Sequence, residues 1–268
     1  MKMSKKLDAL GDRMKGQEAF STSRYADRTL PIVARLDGRS FHTFCHGLER
    51  PYSLRFLQCM EIAMCSLVEE FHCSVGYTQS DEITLVWAPL KSPTSEHPFG
   101  GRFQKLESIL AAHASVVFMK SVQEYLDEKA HMNPTFDCRV WQPPSGEDAV
   151  NALLWRQRDA IKNAISMVAQ ANFSHKQLHG KSTNQMLDML LIDKQISFDG
   201  KQFSNRFKRG IFAKRVKTER LLTQEELAAI PVDHRPSGPV VRSRVTYFDL
   251  HIDADEVGKR ELVERLSP

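Results

Sequence analysis

Asp37 closes the run Ile32-Val-Ala-Arg-Leu-Asp37, and Asp81 follows 44 positions later inside Ser80-Asp81-Glu82. Carboxylates are hard oxygen donors, and Mg²⁺ typically takes one or two of them and completes its shell with phosphate oxygens and water. Two acids converging beside a loop with free amides meet the requirements of two-metal phosphoryl transfer. Such a loop follows Asp37 directly: Gly38-Arg39-Ser40-Phe41 offers successive backbone N–H groups as a nest for phosphate, and His42 next to it suits stacking on a base. Arg102 and Lys105, three apart near a predicted helix start, share a face from which they could grip a triphosphate. Each feature also has an ordinary reading. Asp-Gly and Ser-Asp-Glu are common turn formers, a lone loop histidine is commonly solvated, and cations on a helix commonly face water. The five cysteines (Cys45, Cys59, Cys65, Cys73, Cys138) contain no CxxC pair and are odd in number, so neither zinc nor a disulfide framework is expected of them.

The order of elements must bring the two acids together. With 268 residues, 41% hydrophobic and 26% charged, the chain has the composition of a globular protein rather than a disordered or fibrous one. No apolar run approaches the roughly 20 residues of a membrane span, and the N-terminus lacks the apolar stretch of a signal peptide. A cytoplasmic protein is expected. The pattern predicts a helix over 5–20, a strand ending at Asp37, and a helix capped by Ser53. Strands over Cys73–Gln79 and Ile83–Trp87 follow, with Ser80-Asp81-Glu82 as their hairpin turn. After a Pro- and Gly-containing loop from Lys91 to Gly101 come a helix from Arg102 to about Glu128, a strand over Phe136–Trp141 and a helix from Glu147 to about Ala171.

Strand, helix, strand, strand, helix, strand is the ferredoxin-like arrangement, an α+β fold with an antiparallel sheet and both helices on one face. Its first strand is central and lies beside the hairpin's return strand, so Asp37 and Asp81 are expected at the same edge of the sheet. Residues 1–171 form the catalytic unit in this reading. Residues 172–268 form a helical and basic extension packed on it, with two further strands over 209–216 and 240–250. Net charge is only +4, but residues 201–220 hold eight cations against the single acid Glu219, with Phe203, Phe207 and Phe212 interleaved. That cluster reads either as a surface for nucleic acid or as a solvated face.

Taken together, the segments resemble the tRNA(His) guanylyltransferase family, enzymes that add nucleotides in the 3′-to-5′ direction. The matching text is Arg35-Leu-Asp-Gly-Arg-Ser-Phe-His42, Tyr77-Thr-Gln-Ser-Asp-Glu82, Arg102-Phe-Gln-Lys105, Phe136-Asp-Cys-Arg-Val140, Trp155-Arg-Gln-Arg-Asp159, Leu178-His-Gly-Lys181 and Lys208-Arg-Gly210. The resemblance implies a polymerase-like palm in which Asp37, Asp81 and the Gly38 carbonyl bind two Mg²⁺ ions, with Glu82 as a further catalytic acid. It implies that the amides of Arg39, Ser40 and Phe41 hold a nucleotide triphosphate, that His42 packs on its base, and that Arg102 and Lys105 contact triphosphate. Arg50 and Ser80 correspond to residues near an activating nucleotide, and Asn163, Lys181, Lys208 and Arg209 fall in motifs associated with tRNA.

The implied reaction uses ATP to activate a tRNA 5′ end, which the 3′-hydroxyl of an incoming GTP then attacks. A homotetramer and no membrane partner are implied as well. Where eukaryotic members carry His-Ile-Asn-Asn this chain reads Ile161-Lys-Asn-Ala164, and Ser40 and Arg50-Pro-Tyr-Ser53 also depart from the usual text. These choices resemble the bacterial and phage guanylyltransferase-like branch, whose members repair truncated tRNA 5′ ends. Two rivals stand beside this reading. A nucleotide cyclase on the same palm has little use for the long basic extension, and a non-catalytic tRNA-binding module has no need of both Asp37 and Asp81.

Overall fold

The structure, a computed structural model, describes residues 9–267; the first residues of the helix expected over 5–20 lie outside that range. Helix α1 spans Ala9–Thr22 and buries none of its residues. The chain continues through β1 (Ile32–Gly38), α2 (Phe41–Phe44), α3 (Leu54–Glu70), β2 (Val75–Gln79), β3 (Glu82–Trp87), α4 (Phe103–Tyr125), β4 (Phe136–Trp141) and α5 (Gly146–Asn172). It ends with α6 (His175–Leu178), α7 (Thr183–Lys194), α8 (Asn205–Arg209), β5 (Ile211–Arg220), α9 (Gln224–Ala228), β6 (Val240–Phe248) and α10 (Glu256–Leu266).

The six strands form one sheet in the order β4-β1-β3-β2-β5-β6, every neighbouring pair antiparallel. Strand parity explains the layers. Ile32, Ala34 and Leu36 of β1 turn to one face and pack with Met60, Met64 and Leu67 of α3 and with Leu106, Leu110 and Phe118 of α4. Val33, between them, turns to the other face and meets Ala149, Val150 and Leu153 of α5 and Leu262 and Leu266 of α10. The expected ferredoxin-like core is present, with α3 and α4 on one face. The opposite face is covered as well, which the element order did not specify. With both faces covered, all six residues of β3 are buried, Glu82 and Thr84 among them.

Local chemistry sets the boundaries. The Ser53 side chain accepts the Phe56 N–H and starts α3, and Ser145 does the same for α5 through Asp148. The β2–β3 turn is tighter than expected, because Gln79 pairs directly with Glu82 and leaves only Ser80 and Asp81 in the loop. Ser80 takes a left-handed φ of 47°. Glu82 therefore belongs to the strand. The later strands join the same sheet, with Ile211, Phe212 and Ala213 pairing with Thr78, Tyr77 and Gly76. A third apolar cluster ties the C-terminal half of α5 to Leu178, Leu190, Phe198 and Phe207 in the helical extension. Among the described residues, no helix is long and apolar enough to cross a membrane.

Candidate active site

At the C-terminal end of β1, Asp37 is the register partner of Glu82 on one side and of Asp137 on the other. By parity it lies on the face that α5 covers. The Gly38 N–H donates to the Asp81 carbonyl at 3.0 Å, pinning the β2–β3 turn against the end of β1. The two acids therefore meet as the order of elements required. Burial pushes the Asp81 carboxyl above its ordinary range and the charge of Asp37 adds to this, while hydrogen bonds, including one from the Ser80 hydroxyl at 3.1 Å, pull the other way. Such a pair of oxygen donors in excess negative charge fits a hard divalent cation. No group of three or more His, Cys, Asp or Glu converges as a metal cage among the described residues.

Glu82, expected as a further catalytic acid, is engaged in ion pairs. It is 4% exposed, and its Oε1 accepts from Arg156 Nε at 2.7 Å while Oε2 lies 3.9 Å from Arg35 Nε. Arg156 also donates to Asp159 at 3.1 Å. The carboxylate of Glu82 is thus engaged by guanidiniums and anchors α5 to the sheet beside Asp37. Sequence reasoning gave no role to Arg35, Arg156 or Trp155. Trp155 is 53% exposed, with the Arg156 and Arg35 guanidiniums 4.5 and 5.5 Å from its ring centre. The one signal for them was their place inside quoted motifs.

One of the three amides expected to hold a triphosphate is engaged within the fold. The Arg39 N–H already donates to the Thr135 carbonyl at 2.9 Å. Ser40, with φ 58° and ψ 32°, reverses the chain into α2, and the N–H groups of Ser40, Phe41 and His42 have no backbone acceptor among the described residues. A Cβ on Gly38 would lie 2.5 Å from the Phe41 ring, so the turn needs glycine there. Phe41 supplies an amide only, since its ring is buried among Phe44, Phe118 and Phe136.

Beside this turn lies a cavity of about 390 Å³ lined by His42, Arg50, Ser80, Asp81 and Asn163, with Ala160 and Ala164 of α5 in its wall. Tyr52 and Phe207, stacked at 4.0 Å, border it. Asn163 therefore faces the same cleft as His42 and Asp81.

Arg102 and Lys105 do not reach this site within one chain. Trp87 pairs with Ile32, at the opposite end of β1 from Asp37, and the chain enters α4 there. The Phe103 N–H donates to Arg24, and Arg102 bridges Tyr25, just ahead of β1. The 23 residues of α4 then run about 34 Å back along the sheet, ending where Arg55, in the first turn of α3, donates to the Tyr125 carbonyl.

Of the residues associated with tRNA, Lys181 is exposed. Lys208 is not available in the way expected. It is 5% exposed, and its ammonium turns inward to donate to the Asp199 carbonyl. Arg209 donates to Asn205 at 3.0 Å and lies 3.8 Å from Asp199, and its neighbour Arg206 pairs with Glu61 of α3. The helix α8 is so held because its carbonyl at Arg209 accepts both the Tyr77 hydroxyl at 2.7 Å and the Gln157 amide.

A family model described as Thg1, tRNAHis guanylyltransferase, matches residues 11–144. An uncharacterized protein of Acanthamoeba polyphaga mimivirus, R259, is 30% identical over 204 residues, covering 68% of this chain and 70% of that protein. The probable tRNA(His) guanylyltransferase of Mus musculus is 26% identical over 244 residues, covering 85% and 79%. Among solved structures, a bacterial tRNA(His) guanylyltransferase (Thg1)-like protein in complex with ATP superposes with a TM-score of 0.78 at 28% identity, covering 95% of this chain and 99% of that one. A GTP complex of such a protein superposes at 0.72 with 26% identity, covering 97% and 99%. With the two acids, the amide turn and the palm-like core already in place, these matches settle the lineage: the chain belongs to the Thg1 family of tRNA(His) guanylyltransferases and is a nucleotidyltransferase of that type.

Proposed function

We propose that this chain adds nucleotides in the 3′-to-5′ direction to the 5′ end of tRNA, as tRNA(His) guanylylation or templated 5′-end repair, after activation of that end by ATP. The observation that carries the proposal is the meeting of Asp37 and Asp81 beside a turn with free amides and an open cleft. The ATP- and GTP-bound structures of bacterial Thg1-like proteins support both nucleotides as ligands. Asp37, Asp81 and the Gly38 carbonyl would hold two Mg²⁺ ions, which supply a lowered pKa for the attacking hydroxyl and charge neutralisation at the leaving group.

The chain's own residues bind and orient. The amides of Ser40, Phe41 and His42 hold a triphosphate, and His42 packs on its base. Arg50, Ser80 and Asn163 line the cleft for the activating nucleotide, and Lys181 and Arg209 hold tRNA. Glu82 keeps Arg156 and Arg35 in place rather than reacting. Arg102 and Lys105 reach a triphosphate at this site only from a second copy of the chain, which ties their role to the expected homotetramer. A cytoplasmic location goes with this proposal.

The test is incubation with α-labelled GTP, ATP, Mg²⁺ and two 5′-monophosphorylated tRNAs. One is tRNA(His) lacking its extra guanosine, and the other is a different tRNA missing its first nucleotide opposite C. Label on either, lost in Asp37→Ala and Asp81→Ala while tRNA affinity persists, is the expected result. The preferred tRNA separates guanylylation from repair. Salt-sensitive tRNA binding with no label in the parent would overturn the proposal in favour of a binding module.

A further inference from the structure

The basic cluster of residues 201–220 divides in the fold. Its first part, on and around α8, is turned inward or paired, as Lys208, Arg209 and Arg206 show. Its second part lies on β5, and there the structure adds cations that the linear cluster did not contain. Strand β5 leaves the edge of β2 after Ala213. From Lys214 to Arg220 its partner is β6 alone, in continuous register to Val240. A two-stranded ribbon thus extends past the sheet. Between residues 214–220 and 240–248 it carries the cations Lys214, Arg215, Lys217, Arg220, Arg242 and Arg244 against one acid, Glu219.

Parity sorts these charges. Phe212 and Phe248 face α10 and α5, so Lys214, Arg220, Arg242 and Arg244 fall on that side, the sheet side that also carries Asp37. Arg215, Lys217 and Glu219 fall on the other, together with the exposed Val241. Several of the cations already have partners. The Lys214 ammonium lies 4.8 Å over the Phe248 ring, above a groove rimmed by Asp249, Asp255, Glu261 and Glu264. Arg220 is held by Glu226, and Arg215 contacts His72 and Ser243. Arg242 and Arg244 are exposed and have no ion pair among the described residues. Thr218 and Val216 are their register partners. Exposed arginines on this ribbon, one of them paired with a threonine and with the exposed Val241 and Tyr247 on the opposite side, are suited to phosphate oxygens rather than to an apolar partner.

We propose that the β5–β6 ribbon is an arm that grips the phosphate backbone of the tRNA's paired stem through Arg242 and Arg244. Ile211 pairs with Thr78 near the carboxylate end of the sheet. Arg244 and Arg242, opposite Val216 and Thr218, stand about 17 and 23 Å further along the strand. The arm therefore touches the substrate away from its reacting 5′ end, and such contacts position the RNA without reading its sequence. The inference rests on the proposed action on tRNA and deepens it.

The test measures binding of a 5′-truncated tRNA, and of a hairpin with the same 5′ end but too short to reach the ribbon, across a salt series. In the parent the full tRNA binds more tightly than the hairpin. In R242A/R244A that difference collapses, tRNA affinity falls about tenfold near physiological salt, and the slope of log K against log salt drops by about 1.5. R242K/R244K, which keeps the charges, restores most of the slope. An unchanged slope and affinity in R242A/R244A, while the parent binds tRNA and adds nucleotide, overturns the arm and leaves the proposed function standing. A changed sedimentation coefficient with unchanged tRNA affinity also overturns it, assigning the ribbon to contacts between protein chains. A parent that neither binds tRNA nor labels it would overturn the proposed function first, and the arm with it.

Discussion

The carboxylate of Asp81 is held above its ordinary range by burial and by the charge of Asp37. The sign of the linkage follows directly. The folded state binds this proton more tightly than the unfolded chain does, so the contribution to stability is present at low pH and is lost as pH rises from the ordinary carboxylate range through the raised value. At neutral pH the ionised pair opposes folding. D81N should therefore melt higher than the parent without divalent cation, and adding Mg²⁺ at about a hundred times its Kd should stabilise the parent by about 2.7 kcal/mol and D81N by much less. Thermal melts with Mg²⁺ or a chelator decide this, and equal Mg²⁺ gains in both proteins would refute it. Burial pushes the Glu82 carboxyl the same way, but Glu82 has a guanidinium partner in Arg156 that pulls against it. Removing its guanidinium partner in Arg156→Ala leaves a buried charge held only by the more distant Arg35, and a loss of about 3–5 kcal/mol in urea unfolding is expected, with Glu82→Gln costing less. Asp37 and Asp81 were legible because a strand end and a turn are local features. The partnership of Glu82 and Arg156 spans 74 positions, and the burial of Lys208 depends on Asp199; neither leaves a local pattern in the chain.

The succession of β1, α3, β2, β3, α4 and β4 was readable because each of these elements announces itself by its own period and caps, as Ser53 does for α3. Which face α5 would cover was not readable, since that depends on parity in a strand more than a hundred residues earlier, where Val33 alone turns toward it between Ile32 and Ala34. Nor did the element order specify that β2 is interior: β5 returns from the far end of the sequence to pair with it. At this scale the weakest point of the site is the reversal from β1 into α2. Gly38→Ala would place a Cβ 2.5 Å from the Phe41 ring, and that ring is locked among Phe44, Phe118 and Phe136. Overpacking of this kind costs about 1–3 kcal/mol, and it would also tilt the amides of Ser40, Phe41 and His42. The variant should remain folded at low temperature, with a lower urea midpoint and a raised KM for nucleotide. An unchanged KM would mean that those amides do not hold the triphosphate.

Within one chain, Arg102 and Lys105 lie at the opposite end of the sheet from Asp37 and Asp81, too far for one triphosphate to touch both. A closed assembly removes the conflict if one copy supplies the acids and another the cations, and such a shared site has a signature that a self-contained one lacks. Take one variant with Asp37→Ala and Asp81→Ala and a second with Arg102→Ala and Lys105→Ala, each nearly inactive alone. After co-refolding or co-expression, every site draws its acids from one copy and its cations from another, so random mixing makes about one site in four complete. Nucleotide addition should recover to about a quarter of the parent's rate, and dilution below the assembly's Kd should abolish the recovery. If both sets served the same chain, no mixture could exceed the mean of the two inactive variants. If Arg102 and Lys105 played no part, the second variant would be active before mixing. The rate of the mixture alone therefore distinguishes a site completed by a second copy from one that the fold closes by itself.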